Sequence, residues 1–98
     1  MKMKLIKRGD PADVQLIGRL DVLAAPEAEK ALLDVASRYR TVNLDLGELS
    51  YISSAGLRAI KSFYVEIRRS GGEYTVKNVP KPIMEIFEAT GFVRLLKL

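Results

Sequence analysis

Ninety-eight residues are enough for one domain with a modest core, and 48% apolar with 29% charged residues is the balance of a folded protein rather than a disordered one. The chain has no Cys and no His, which excludes disulfides, thiol nucleophiles, Cys/His zinc sites and any Ser-His-Asp triad, and fits a reducing compartment. The formal net charge of +4 fits nucleic acid, an acidic partner or a solvated basic surface; the basic residues are spread along the chain without the aromatic interleaving of a base-stacking platform.

The first segment, Met1 to Arg8, is basic, and only Leu5 and Ile6 stand where a secretory leader would carry its apolar run. No segment is long and apolar enough to span a membrane, so the expected location is the cytoplasm. Met3 to Lys7 reads as a short edge strand, Gly9-Asp10-Pro11 as a turn and Val14 to Gly18 as a second strand, which together make a hairpin or ribbon. A helix follows, with Pro26 in its first turn and Glu27 and Glu29 near its positive end. Ala28, Leu32, Val35, Ala36 and Tyr39 recur at helical spacing as its buried stripe.

Thr41 to Leu46 alternates apolar and polar residues and reads as a strand, with Gly47 to Ile52 as a connection. A second helix starts at Ser53 or Ser54 and runs to about Arg69, its stripe being Leu57, Ile60, Phe63, Tyr64 and Ile67. Gly71-Gly72 ends it. Glu73 to Lys77 is the next strand. Pro80 and Pro82 open a short third helix with Ile83, Ile86 and Phe87 inward, and Gly91 stops it. Phe92 to Leu96 is expected as a final strand or edge segment. The order ββαβαβαβ implies an α/β fold, one domain over residues 1–98, with a mixed sheet and the helices packed largely on one face.

The chemistry of interest lies in Ile52-Ser53-Ser54-Ala55-Gly56-Leu57. A helix start presents N–H groups without intrahelical partners and favours negative charge. A serine there caps the helix, and a phosphate there is held by the same groups. Gly56 is expected to leave room for a partner or a nucleotide phosphate to approach the backbone. The run is not Gly-x-Ser-x-Gly, no His exists to act as base, and no Gly-Lys-Ser/Thr loop follows. A binding module is therefore expected, not an enzyme, and no cofactor or metal.

Val42 to Leu46 followed by Leu49-Ser50-Tyr51-Ile52-Ser53-Ser54-Ala55-Gly56-Leu57-Arg58 resembles the signature of STAS domains, specifically the bacterial anti-sigma factor antagonists. Gly18-Arg19-Leu20-Asp21, Ala25-Pro26-Glu27, Gly71-Gly72, Val79-Pro80-Lys81-Pro82, Ile86-Phe87 and Thr90-Gly91-Phe92 follow the family's order, so the resemblance covers nearly the whole chain. It implies that Ser54 is a phospho-acceptor. Many members carry Asp immediately before the acceptor; Ser53 stands there instead and is the alternative acceptor or the helix cap. The resemblance further implies an anti-sigma factor with serine kinase activity as partner, a metal-dependent serine phosphatase that reverses the modification, and control of transcription without direct DNA binding. Asp21 would lie beside the acceptor, or serve only as a turn or capping residue; Asp45 would tie down a loop. Ala55, Gly56, Leu57 and Arg58 would shape the docking edge, with Leu57 mainly in the core. Two rivals are a STAS adaptor subunit of a lipid-transport ABC complex and a basic nucleic-acid-binding module.

Overall fold

In the computed structural model, which describes residues 1–98, the basic N-terminal segment forms strand β1 (Lys2–Lys7), antiparallel to β2 (Ala12–Leu20). Met3 and Leu5 pair with Leu16 and Val14 and pack against the core, while Lys2 and Lys4 are exposed on the other face. Charged side chains on such an outer strand discourage pairing with foreign strands. Helix α1 (Ala25–Arg38) then crosses to β3 (Thr41–Ile52), and α2 (Ser54–Arg69) crosses to β4 (Glu73–Lys77). Both crossovers join parallel neighbours, so the sheet is mixed, in the order β1-β2-β3-β4.

The third strand is twice as long as its alternating segment. Val42, Leu44 and Leu46 are buried at period two, but the next buried residues are Leu49 and Ile52, at period three. Two bulges reset the phase. Gln15 and Ile17 face Asp45 and Glu48, and Gly18 and Arg19 face Leu49 and Tyr51, so β3 carries an extra residue at each place. Asp45 Oδ1 accepts the Gly47 N–H at 2.8 Å in the first bulge, and Ser50 Oγ donates to the Gly18 carbonyl at 3.1 Å in the second. Gly47 to Ile52 is thus strand, not a connection. Asp45 ties its own bulge rather than a neighbouring loop.

The C-terminal segment also departs from expectation. Helix α3 (Lys81–Thr90) ends at Gly91, whose φ of +82° turns the chain, and residues Phe92–Leu95 form the short helix α4 instead of a strand. A five-residue segment with four apolar residues around Arg94 does not distinguish strand from helix by pattern alone. Here it folds back beside α3: Phe92 stacks on Phe87 at 5.8 Å and Leu96 is buried. The Tyr74 hydroxyl donates to the Leu95 carbonyl at 3.3 Å.

All helices serve one core on one face of the sheet. Leu16, Leu20, Leu44, Leu46, Leu32, Ile60, Phe63, Ile67, Ile83 and Phe87 are fully enclosed in it. Burial of each such side chain contributes about 1.5–3 kcal/mol. Tyr39, Tyr64 and Ile86 are half-buried at its margin. The opposite sheet face carries a polar ladder, with Asn43 Nδ2 donating to Asp13 Oδ1 at 2.9 Å and Gln15 Nε2 to Glu48 Oε2 at 3.1 Å. No polar or charged side chain is buried, so every functional group of the chain lies at its surface. No helix is long and apolar enough to cross a membrane.

Candidate functional site

Strands β2 and β3 run parallel and end together, with Leu20 opposite Ile52. Each then turns into a helix, so residues 21–24 and Ser53-Ser54 emerge side by side at the carboxyl ends of the two central strands. Open α/β sheets commonly bind their ligands at this end.

In the first turn, Asp21 Oδ1 accepts the N–H groups of Leu23 and Ala24 at 3.1 and 3.0 Å, and the Asp21 carbonyl accepts that of Ala25 at 3.0 Å. Ala24 offers no side-chain cap, so the Asp21 carboxylate satisfies donors at the start of α1 in its place. Turning the chain this way pushes Val22 and Leu23 outward, 66% and 87% exposed.

In the second turn, Ser53 is the N-cap of α2, and its polar groups are occupied. Its N–H and its hydroxyl both donate to the Leu20 carbonyl, at 2.9 and 3.2 Å, while its Oγ accepts the Gly56 N–H at 3.1 Å and its carbonyl that of Leu57 at 2.9 Å. One residue thereby caps a helix and stitches it to β2. Ser54 follows as the first residue of α2, exposed, with no protein hydrogen bond on its hydroxyl.

Gly56 corrects the expectation that it admits a partner. A Cβ there would lie 2.7 Å from both Leu20 Cγ and the Leu20 carbonyl oxygen and 2.9 Å from Ile52 Cγ1. The space is filled by the protein itself, and glycine is needed so that α2 can sit against the end of β2. Leu57 is buried, Ala55 is half-buried and Arg58 is exposed one turn beyond Ser54. The surface share of the expected docking edge is therefore Ser54 and Arg58, with Asp21, Ser53 and Ala55 half-buried.

Four residues at this end were missed by sequence reasoning. Val22 and Leu23 could have been found as apolar residues outside the α1 stripe. Arg19 and Tyr51, paired across the strands with the guanidinium 4.3 Å from the ring centroid, carry no such signal. No cluster of three acidic side chains could hold a metal ion. The end of the sheet thus offers an exposed hydroxyl, two exposed apolar side chains and a cation, which are means of recognition.

Among known families, the STAS domain model matches residues 2–98, and the chain belongs to the STAS domain family, among the anti-sigma factor antagonists. It is similar to BtrV of Bordetella bronchiseptica, provisionally named an anti-sigma factor antagonist, with 35% identity over 91 residues, 88% of this chain and 78% of BtrV. It is also similar to the anti-sigma-B factor antagonist of Bacillus subtilis, with 24% identity over 85 residues, 87% of this chain and 78% of that protein. The fold matches an anti-sigma factor antagonist from Mycobacterium paratuberculosis, with TM-score 0.79, 19% identity and coverage of 97% and 81%. It also matches the antagonist SpoIIAA in its unphosphorylated form, with TM-score 0.75, 17% identity and coverage of 92% and 79%.

Proposed function

We propose that this chain is an anti-sigma factor antagonist whose binding is switched off by phosphorylation of Ser54. The observation that carries the reading is the division of labour between the two serines. Ser53 is tied into the backbone by its hydroxyl, whereas Ser54 presents a free hydroxyl at the first position of α2. A kinase needs an accessible nucleophilic oxygen, and Ser54 supplies it without loss of the helix cap. The names of the relatives support the same role.

In this reading the unmodified protein binds an anti-sigma factor that is also a serine kinase, and the sigma factor is released. The partner contacts Ser54, Ala55, Arg58 and the exposed Val22 and Leu23, with Asp21 and Ser53 holding the two turns in place. Phosphorylation of Ser54 adds roughly −1.5 to −2 charges at neutral pH. The first turn of α2 tolerates that charge because its free N–H groups and the helix dipole favour an anion there. A partner packed against the same spot does not. A loss of about 2.8 kcal/mol weakens the complex a hundredfold. A metal-dependent serine phosphatase restores the active form, and the cycle runs in the cytoplasm without contact between this chain and DNA.

The test is incubation with the cognate kinase and ATP, followed by mass mapping of the phosphate. The expected result is label on Ser54, none in Ser54→Ala, and retained label in Ser53→Ala. Label confined to Ser53 would refute the assignment.

A further inference from the structure

The net charge of the chain is concentrated on one helix. Helix α2 carries Arg58, Lys61, Arg68 and Arg69 against Glu66 alone. Four cations less one carboxylate give +3 of the total of +4 on 16 residues, leaving +1 for the other 82. The charges are also ordered. Ser54, Arg58, Lys61, Val65 and Arg68 are spaced by four, three, four and three residues, which places them in one line along a helix. All five are exposed. Glu66 lies off this line, half-buried and paired with Arg69 at 2.9 Å. On the α1 side, Glu29 is engaged by the Ser62 hydroxyl at 3.0 Å. Arg58, Lys61 and Arg68 have no carboxylate within ion-pair distance.

Helix stability accounts for only part of this pattern. Cations in the last turn complement the dipole, which covers Arg68 and Arg69. The first turn of α2 has no acidic residue, and Arg58 and Lys61 lie in the half nearer the positive end, where the dipole gives a cation no benefit. Neither is used in packing. Their placement beside Ser54 is what remains to be explained.

We infer that the outer face of α2 docks a strip of carboxylates on the protein partner that recognises Ser54; this inference rests on the antagonist reading above. The cationic line is about 15 Å long from Arg58 to Arg68 at 1.5 Å per residue. Its Ser54 end lies where Ser53 is tied to the end of β2, so a partner that recognises Ser54 is brought next to the cations. A surface that reads Ser54 is a protein, and Ser54 heads the same line as the cations, whereas a nucleic-acid backbone would engage the cations without using the serine. The inference also gives the switch its sign. A phosphate on Ser54 sets a dianion against a partner surface that is itself acidic, so repulsion adds to loss of fit.

The experiment is calorimetric titration against the anti-sigma factor that labels Ser54, at 50 and 300 mM NaCl. The expected Kd rises roughly tenfold between the two salts and roughly tenfold or more in Arg58→Glu/Lys61→Glu, with the salt dependence reduced. Arg58→Lys/Lys61→Arg retains the affinity. Lys2→Glu/Lys4→Glu, which changes the net charge equally on β1, also retains it. Circular dichroism establishes that each variant is folded. Unchanged affinity in Arg58→Glu/Lys61→Glu overturns the inference, as does equal weakening in the β1 variant. If Ser54→Asp still weakens the complex in that case, the antagonist reading stands alone; if it does not, both fall. Reversals that abolish binding of a 20-base-pair duplex and leave the anti-sigma factor complex intact would reassign the face to nucleic acid.

Discussion

Replacing Gly56 with Ala probes the contact that seats α2 against β2. The added Cβ would stand 2.7 Å from the Leu20 carbonyl oxygen, whereas ordinary contact begins near 3.4 Å. Leu20 Cγ can shift, but its carbonyl accepts both the N–H and the hydroxyl of Ser53 and cannot retreat without loosening the cap. The first turn of α2 must therefore move outward by about 0.7 Å to restore contact distance. Such overpacking costs about 1–3 kcal/mol, and the fixed carbonyl puts this case toward the upper end. Ala regains about 1 kcal/mol of helix propensity. The net loss is about 1–2 kcal/mol, or roughly 5–15 °C in Tm for a domain of this size. Urea unfolding followed by far-ultraviolet circular dichroism measures it. A variant as stable as the parent, or more so, would show that the close approach at Gly56 does not govern the seating of α2.

The other expected outcomes concern the same sheet end and the C-terminal clasp. Ser53→Ala removes the cap of α2 and costs about 1 kcal/mol in denaturant unfolding, whereas Ser54→Ala stays within about 0.5 kcal/mol of the parent. Equal losses would mean that the two hydroxyls are not used differently. Leu23→Asp leaves stability within about 0.5 kcal/mol, because its side chain is exposed, and weakens the anti-sigma factor complex at least about tenfold. Undiminished affinity would remove that loop from the docking surface. The Tyr74 phenol is raised above its ordinary 10.0 by burial, and further by neighbouring Tyr64, against a lowering by Arg68. As pH rises past that value the unfolded chain loses the proton first, so stability falls through the alkaline range. Tyr74→Phe flattens this alkaline limb, and an unchanged limb would contradict the assignment.

Helices α1 and α2 are legible in the chain because their apolar residues recur at helical spacing and are bounded by Pro26, Ser53 and Gly71-Gly72. Strand β4 is legible because Glu73 to Lys77 is short and flanked by breakers. The length of β3 is not legible: two bulges break the alternation after Leu46, and a lost period looks like a loop when the partner strand is unseen. Phe92 to Leu96 is ambiguous for a different reason, since its conformation depends on Phe87 and the core rather than on its own pattern. At the site, Ser53 and Ser54 are legible as a helix start, but which one is free depends on Leu20, 33 residues away from Ser53. Gly56 reads as open space in the sequence because a glycine marks a missing side chain without saying that Leu20 and Ile52 fill the gap. Val22 and Leu23 stand out in the sequence as apolar residues outside the α1 stripe, but their exposure depends on the Asp21 turn that bends the chain outward.

In the proposed switch the unmodified protein frees a sigma factor by occupying its anti-sigma factor, and a charge at Ser54 prevents this. The direct measurement is release of a fluorescently labelled sigma factor from its complex with the anti-sigma factor, followed by anisotropy as this protein is added. The wild-type chain is expected to lower the anisotropy to that of free sigma factor at stoichiometric addition, and the phosphorylated protein to leave it high. A complex that stays intact with unmodified protein, or dissociates equally with the phosphorylated one, would rule out a switch at Ser54.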